Sequence, residues 1–343
     1  MQLKTSLIIA LSASIIGLFA WESYWRSQGY TPNLNDDKGL WANQRAKVNT
    51  STDKDILLLG SSRVLFDIQL NEFEAETGIR PVQLAIPGSS PLPVFHDIVN
   101  NTDFKGTIIL GVTTVLTFST LYPKAMPWDR PQSKVDYFYN RTYAQRLNHK
   151  LSLPLQKNFV LMSADEELYM DDIDLKSLLR RIKVGERVPS PVHLVNFQNT
   201  VEDRNTLMLD RTVTDTTFTR KVTNFWEFIM KVSPPPDVEP TMKFLVNDAK
   251  AFIKKGGNLI FLRCPSSGPF RAGEAHMLPR EKVWNELLRQ TNAKGYHYED
   301  YEQFKGLICP EWSHLSSKDA KFFTTELAKI MIEDNVLPNQ KTN

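Results

Sequence analysis

The sequence predicts an α/β fold: a parallel β-sheet with helices on both faces, preceded by a membrane-spanning helix and interrupted by a helical insertion. Short, continuous apolar runs recur along the chain, as in strands that are buried on both faces. Amphipathic helical patterns with short turns separate these runs, and this alternation favours parallel strands joined by helices. A third observation is the uncharged apolar segment from Leu7 to Trp21.

Composition and charge exclude several classes of protein. The chain has 343 residues, of which 41% are hydrophobic and 23% are charged, and these values do not fit collagen-like, disordered or disulfide-scaffold proteins. Lysine and arginine number 41 against 39 acidic residues, which gives a net charge of +2. Because the basic residues are dispersed and matched by acids, we expect no nucleic-acid partner.

Residues 1–25 are expected to be an N-terminal membrane anchor. Counted from Thr5, the apolar segment has roughly 17 residues, the lower limit for crossing a bilayer core. Trp21, Tyr24 and Trp25 follow where an interfacial aromatic belt would lie. A cleaved signal peptide is the alternative, but the segment ends in Leu18-Phe19-Ala20, without the small-residue pattern of a cleavage site.

The orientation of this anchor has only a small sequence bias. Lys4 and the amino terminus precede the apolar segment, whereas Glu22 and Arg26 follow it. The positive-inside rule therefore favours a body on the outer side of the membrane. We expect a single-pass protein of the bacterial inner membrane whose main domain is periplasmic or extracellular, an oxidising space in which two cysteines can pair.

The first half of the core is expected at 53–120, after a polar stalk at 26–52. Strands are predicted at 55–60, 82–86 and 107–112, each a short apolar run. A helical pattern follows the first strand and stops at Gly78, and a second helix containing Val94 and Ile98 follows the second strand.

The alternation stops in residues 121–240, which read as a mainly helical insertion with helices at 163–169, 175–182 and 218–231. Such insertions often cover a site. The core resumes at 241–335. Helices are predicted at 243–254, 279–291 and 317–333, and strands at 258–262 and 296–301. Ser316 or Ser317 is the expected cap of the last helix.

The residues that follow the predicted strands combine the groups needed for acyl transfer. Gly60-Ser61-Ser62-Arg63 follows the first strand, and Gly88-Ser89-Ser90 follows the second. Gly111-Val112-Thr113-Thr114 ends the third, and Glu311-Trp312-Ser313-His314 precedes the last helix. Ligands gather at the carboxyl ends of parallel strands. A serine hydroxyl needs a positioned base, which His314 can supply, and Glu311 can orient the imidazole.

These segments resemble the motifs of the SGNH (GDSL-like) hydrolase superfamily. Gly60-Ser61-Ser62 is similar to its first block, Gly-Asp-Ser, which implies that Ser62 is the nucleophile and one oxyanion donor. Gly88 matches the second-block glycine, an oxyanion donor. The third block, Gly-x-Asn-Asp, falls on 111–114, where the Thr113 hydroxyl would replace the asparagine. The fifth block, Asp-x-x-His, falls on 311–314, with Glu311 in place of aspartate.

The resemblance implies a flavodoxin-like three-layer α/β/α sandwich and leaves the insertion unmatched. The layout of N-terminal anchor, serine motif and late histidine is similar to membrane-anchored SGNH proteins that acylate cell-envelope polymers, such as alginate acetylation proteins and the D-alanyl transfer protein of teichoic acids. It implies an acylated polysaccharide or glycolipid substrate, a membrane-bound O-acyltransferase as partner, and no cofactor.

Each site residue also has a simpler interpretation. Ser62 is also in place to cap the following helix, with Ser61 as the alternative nucleophile, and His314 and Glu311 could be surface residues. Arg63 and Arg263 either bind an anionic substrate, hold a carboxylate or are solvated. Cys264 and Cys309 either form a disulfide or remain unpaired buried thiols. The remaining histidines lack the spacing of a zinc site, so no metal is expected.

The sequence therefore predicts a membrane-anchored serine acyltransferase or esterase that acts through an acyl-enzyme, with acetyl as the expected acyl group. A plain carboxylesterase or deacetylase is the alternative within the same chemistry. A binding or assembly protein that retains the fold without catalysis is the alternative from another class, motivated by the altered third block and by Glu311.

Overall fold

The computed structural model describes residues 2–119, 121, 125–162, 179, 184–185 and 194–337. Within these residues the strands are β1 (Ile56–Leu59), β2 (Val82–Gln83), β3 (Thr107–Gly111), β4 (Gln198–Thr200), β5 (Thr206–Met208), β6 (Asn258–Arg263) and β7 (Lys294–His297). Five of them form one parallel sheet in the order β2-β1-β3-β6-β7. Counted along the chain, this is the 2-1-3-4-5 order of flavodoxin-like doubly wound sheets.

The helices before the insertion, and those in its first part, are α1 (Gln2–Ser27), α2 (Lys38–Lys47), α3 (Ser62–Asp67), α4 (Leu70–Thr77), α5 (Leu92–Asn101), α6 (Thr114–Thr117), α7 (Met126–Asn140) and α8 (Tyr143–Asn158). The helices that follow are α9 (Arg211–Thr214), α10 (Thr216–Val232), α11 (Val238–Lys254), α12 (Gly268–Met277), α13 (Arg280–Thr291) and α14 (Ser317–Glu333). The predicted helices at 163–169 and 175–182 lie outside the described residues, apart from residue 179.

The sheet separates two apolar cores, because successive side chains of a strand point to opposite faces. Leu58, Ile109 and Ile260 pack on one face with α3, α4 and α14. Leu59 and Leu110, which are register partners, pack on the other face with α2, α5, α11 and α13. The predicted parallel sheet with helices on both faces is therefore confirmed.

The close packing of α3 on the sheet explains one glycine at a strand end. A Cβ atom added at Gly111, the last residue of β3, would lie 2.1 Å from Cγ2 of Val64. Only a residue without a side chain lets α3 approach the ends of β1 and β3 so closely. This contact places the first turn of α3 directly over the carboxyl ends of the two central strands.

Several predicted boundaries are confirmed, but two strands differ from the prediction: β2 ends at Gln83 instead of residue 86, and the fifth strand is displaced. The last helix has the predicted bounds, and Ser316 caps it by accepting a hydrogen bond from the Asp319 N–H. The fifth strand was expected at 296–301, but β7 ends at His297. Nδ1 of His297 accepts the Glu299 N–H at 3.3 Å, and this turns the chain into a 3-10 helix at Tyr298–Asp300. A side-chain cap thus ends a strand that the apolar pattern would have continued.

The prediction of a polar stalk at 26–52 is wrong for its second half. Helix α2 is buried in the second core, with Leu40 and Trp41 both fully buried. The Trp41 indole donates to the Leu84 carbonyl at 3.1 Å, and Arg45 forms a buried ion pair of 2.6 Å with Asp97. The buried side chains of Leu40 and Trp41, together with the buried ion pair of Arg45, attach this segment to the body despite its polar composition.

The insertion differs from the prediction in two respects. It contains an antiparallel hairpin of β4 and β5, although no strand was expected in it. Phe197 and Met208 of this region, with Phe218 and Val222 of α10, belong to the same buried cluster as the sheet and α3. The part of the insertion at 194–232 is therefore a component of the body, because its apolar side chains complete one face of the sheet.

Helix α1 is long and apolar enough to cross a membrane. Residues Leu3–Ser27 have a mean hydropathy of 1.9 in their most apolar window, and none of that window is buried in the protein. At 1.5 Å per residue the helix is about 39 Å long, longer than a hydrocarbon core of about 30 Å. An exposed apolar helix of this length is stable in lipid and unfavourable in water.

Candidate functional site

The two serines after β1 have different environments. Ser61 is fully buried and caps α3, since its Oγ accepts the Arg63 N–H at 3.4 Å. Its Oγ also lies 2.6 Å from Oγ1 of Thr113, at the end of β3. Ser62 is the first residue of α3, is half-buried, and does not serve as the cap. Ser62 is thus the less buried of the two serines, and the capping interpretation applies to Ser61 instead.

The Ser61–Thr113 contact marks the point at which the sheet reverses its winding. Strands β1 and β3 are neighbours, but the chain leaves them toward opposite faces, through α3 and, by way of the insertion, through α11. A crevice opens at this switch point in doubly wound sheets, and ligands bind there. The first turn of α3, with Ser62, therefore occupies the position at which this class of fold places its ligands.

His314 is held in one orientation by Glu311. Nδ1 of His314 lies 2.9 Å from Oε1 of Glu311, and both side chains are fully buried. The same oxygen accepts the backbone N–H of His314 at 2.6 Å, and Oε2 accepts the Trp226 indole N–H at 2.5 Å. A carboxylate surrounded by donors favours the Nδ1–H tautomer, so Nε2 is the ring nitrogen with the free lone pair.

Nε2 of His314 has no hydrogen-bond partner and is buried. The ring stacks on Phe66, with 4.4 Å between ring centroids and an interplanar angle of 29°. Phe197 and Trp226 lie at centroid distances of 5.7 and 6.2 Å from the same ring. An unpaired buried acceptor costs free energy, so its presence calls for an explanation. The aromatic cage keeps the imidazole in a site of low polarity.

Helix α3 packs along the segment that contains His314. Arg63 Nε donates to Ser313 Oγ at 3.4 Å, and the Leu315 N–H donates to Oδ1 of Asp67 at 2.9 Å. Phe66, which contacts His314, is one helical turn after Ser62, and residues four apart lie on the same helix face about 5–6 Å apart. The first turn of α3 therefore packs against the segment of His314, and the side chains of Ser62 and His314 are not hydrogen-bonded to each other in this structure.

The two turns expected to supply oxyanion donors lie side by side. The Ile86 N–H donates to the Gly60 carbonyl at 3.0 Å, so the chain leaves β1 and β2 at adjacent points. Gly88 has a φ of +64°, which favours glycine, and a Cβ atom there would lie 2.9 Å from Nη1 of Arg130. The Ser62 N–H stands at the first position of α3, where no helical acceptor exists.

The Thr113 hydroxyl does not point freely into the crevice. It is buried and is engaged with Ser61 Oγ, and either oxygen can donate in this pair. When Ser61 donates, the proton of Thr113 remains available to another acceptor; when Thr113 donates, it does not. The contact that the structure shows for the Thr113 hydroxyl is therefore with Ser61, the residue that caps α3.

Arg63 and Arg263 both bind Glu274 of α12. Nη2 of Arg63 lies 2.7 Å from Oε1 of Glu274, and Nη2 of Arg263 bonds to Oε2. Burial would raise the pKa of Glu274, but the charges of Arg263 and Arg63 outweigh it and lower the pKa to about 2. Of the alternatives predicted for the two arginines, the arrangement found is the one in which they hold a carboxylate. One carboxylate thus serves two guanidinium groups, and Nη1 of Arg263 is buried without a hydrogen-bond partner.

Cys264 and Cys309 do not form a disulfide in this structure. Both are free and buried. Burial raises the pKa of both thiols well above the ordinary value, and nearby Asp67 adds to the effect. The second alternative, two unpaired buried thiols, is the arrangement found, and protonated thiols of this kind react slowly.

Three functional neighbours were missed by sequence analysis. Glu274 lies in α12, a helix that was not predicted. The signal that could have pointed to it was the need of two arginines at one sheet edge for a counter-ion. Trp226 lies on the predicted helix of the insertion, but its bond to Glu311 spans 85 positions. Asp67 was not singled out, although burial raises its pKa well above the usual range.

Among the described residues, no group of three or more histidine, cysteine, aspartate or glutamate side chains is placed to hold a metal ion. No family model matches the chain, and no curated protein is similar to it. The geometry of the site provides a half-buried serine at a helix start, an oriented imidazole on a segment that packs against the same helix, and backbone N–H groups at adjacent turns.

Proposed function

We propose that this protein is a membrane-anchored serine acyltransferase or esterase that uses Ser62, His314 and Glu311. The observation that carries the proposal is the buried Glu311–His314 pair, whose unpartnered Nε2 lies over Phe66, one helical turn from Ser62. A buried imidazole with one nitrogen fixed by a carboxylate and the other unpaired has the form of a general base.

In the proposed reaction, Ser62 Oγ attacks the carbonyl carbon of an acyl ester while Nε2 of His314 takes the hydroxyl proton. The oxyanion forms between the N–H groups of Ser62 and Gly88. When the intermediate collapses, the ester C–O bond breaks and His314 returns the proton to the leaving alkoxide. An acceptor hydroxyl then attacks the acyl carbon while His314 again takes the proton. The bond between Ser62 Oγ and the acyl carbon breaks, and His314 returns the proton to Ser62 Oγ.

The setting of the site favours substrates of the cell envelope. An exposed helix that can span a bilayer, continuous with the body, favours a reaction at a membrane surface on an acylated polysaccharide or glycolipid. We place the body on the outer side of the bacterial inner membrane, where a membrane-bound O-acyltransferase would supply or accept the acyl group. The SGNH-like motif order and the 2-1-3-4-5 strand order support the proposed acyl chemistry.

A serine-directed probe tests the proposal. The full chain in lipid nanodiscs is treated with a fluorophosphonate, and labelling is compared among wild type, Ser62→Ala and His314→Gln. We expect labelling of the wild type only. Ser61→Ala is the matched control, because it changes the neighbouring hydroxyl and should keep labelling. Loss in Ser61→Ala alone would assign the nucleophile to Ser61, and labelling retained in Ser62→Ala would refute the proposal.

The alternative is a binding or assembly protein without catalysis. One observation favours it: Ser62 Oγ and His314 Nε2 are not hydrogen-bonded, and the imidazole is fully buried. Hydrogen bonds in unliganded active sites are often long and form only with substrate. An unlabelled but folded wild type, verified by circular dichroism, would favour the alternative. Product ester formed with an oligosaccharide acceptor would identify a transferase, whereas free acid alone would identify an esterase.

A further inference from the structure

Helix α8 carries a line of apolar side chains that are exposed and do not pack into the protein core. Tyr143, Leu147, Leu151 and Leu155 follow each other at four-residue intervals and are 73, 42, 63 and 45% exposed. Residues at this spacing lie along one face of a helix. His149 and Leu153, on the other side, are buried and attach α8 to the body. We refer to the four exposed residues as the apolar stripe.

The polar residues beside the apolar stripe are basic. Helix α8 contains no aspartate or glutamate, and Arg146 and Lys150 are exposed next to the stripe. A helix with an apolar face, an adjoining cationic face and no acidic residue is typical of helices that lie in a membrane interface. The positive charge is complementary to the phosphates of anionic lipids.

The carboxyl end of α8 is fastened to the end of α1. Glu22 of α1 accepts the N–H groups of Val160 and Leu161 at 2.8 and 3.0 Å. Arg26 donates to the Asn158 carbonyl at 2.7 Å. Glu22 follows Trp21 directly, at the level where a spanning helix has its aromatic belt. The chain after α8 is therefore held at headgroup depth, where Phe159, Leu161 and Met162 are also exposed.

From these three observations we infer that residues 143–162 lie on the bilayer surface, with the apolar stripe in the boundary between headgroups and acyl chains and Arg146 and Lys150 on anionic phospholipid headgroups. The inference rests on the proposed spanning of the membrane by α1. It gives the body a second contact with lipid, so that the tilt of the body relative to the membrane is fixed by two attachments.

Depth-dependent quenching tests the inference on the full chain in nanodiscs. An environment-sensitive dye is attached through Leu151→Cys, and lipids with a spin label on the acyl chain serve as quencher. Ser12→Cys in α1 is the control inside the membrane, and Lys329→Cys on α14 is the exposed control on the opposite face of the sheet. The native chain, whose two thiols are buried, gives the background of labelling.

We expect blue-shifted emission and lipid quenching at positions 151 and 12, and neither effect at 329. If the dye at 12 is quenched and the dye at 151 behaves like that at 329, the inference fails while the anchor stands. A dye at 12 that is not quenched would overturn both. A dye at 151 that is shielded from lipid quencher and from aqueous iodide alike is covered by protein, which would overturn the inference in favour of a second copy or a partner.

The lipid charge separates the two parts of the contact. Discs with anionic phosphatidylglycerol should increase the quenching at 151 relative to zwitterionic discs, and the combined change of Arg146→Gln and Lys150→Gln should abolish that increase. Lys321→Gln with Lys329→Gln, an equal loss of charge on α14, is the matched control and should leave it unchanged. An increase that persists without Arg146 and Lys150 would refute their assignment to headgroups.

Discussion

Replacing Glu274 by glutamine should destabilise the body strongly at neutral pH and have no effect in acid. The carboxylate is 4% exposed and lies between Arg63 and Arg263. Its pKa is lowered from 4.5 to about 2, a difference of about 2.5 units. At about 1.4 kcal/mol per pKa unit, ionised Glu274 contributes about 3 kcal/mol of stability. Glutamine removes this contribution and leaves two buried guanidinium groups without a counter-charge, for which a loss of about 3–5 kcal/mol is typical.

The pH dependence gives the sharper test, because its sign is fixed. A carboxyl group whose pKa is depressed by folding stabilises the protein above the unfolded pKa, and this stability is lost as the pH falls toward the folded value. The difference between wild type and Glu274→Gln should therefore be complete above pH 4.5 and should shrink toward zero near pH 2. As the pH falls through that value, the wild-type side chain becomes a neutral hydrogen-bonding group like glutamine.

The measurement is urea unfolding of the full chain in detergent, followed by near-ultraviolet circular dichroism at several pH values. Urea is chosen because guanidinium chloride would screen the charges. Glu286→Gln is the matched control, since the pKa of Glu286 is also lowered to about 2, by Arg289 and Gln290, but at a solvent-exposed position. We expect no measurable change there, because solvent screens such pairs. A Glu274→Gln loss below about 1 kcal/mol, or a difference that persists at pH 2, would refute the reasoning.

Two further predictions concern buried groups near the site. Burial raises the pKa of Asp67 well above 3.8, so its contribution to stability is present in acid and is lost as the pH rises. Asp67→Asn keeps the acceptor for the Leu315 N–H and should stabilise the protein at pH 7 but not at pH 3. Unfolding midpoints that are equal for wild type and variant at both pH values would contradict this. Cys264 and Cys309 should both resist a thiol reagent in the native protein and react on unfolding, and native reactivity of either thiol would show that the site opens.

The strands were predictable because burial on both faces leaves a local signature. Ile56–Leu59 is wholly buried and wholly aliphatic, and its end at Gly60 is readable from the sequence. Helix α2 was not predicted, because only Leu40, Trp41 and Ala42 supply its apolar face and its remaining buried side chains are polar. Gln44 and Arg45 are buried through partners that are distant in sequence, and no local pattern reports such partners.

The candidate site shows the same division. The order of Ser62, Glu311 and His314 along the chain is a sequence property, and the structure brings their segments together. The use of Arg63 is not a sequence property: whether an arginine meets a ligand or Glu274 depends on a contact across 211 positions. The choice between Ser61 and Ser62 was also open, because it depends on which hydroxyl turns toward Thr113.

The outer edge of β2 has a practical consequence for producing the protein. An edge strand with free backbone groups is a template for aggregation. Here the carbonyls of Gln83 and Ala85 accept hydrogen bonds from Arg204, and that of Leu84 accepts the Trp41 indole N–H. A fragment that begins at β1 would lack Trp41, and part of this edge would be uncovered. A soluble fragment should therefore start ahead of α2, so that the sheet keeps its own cover.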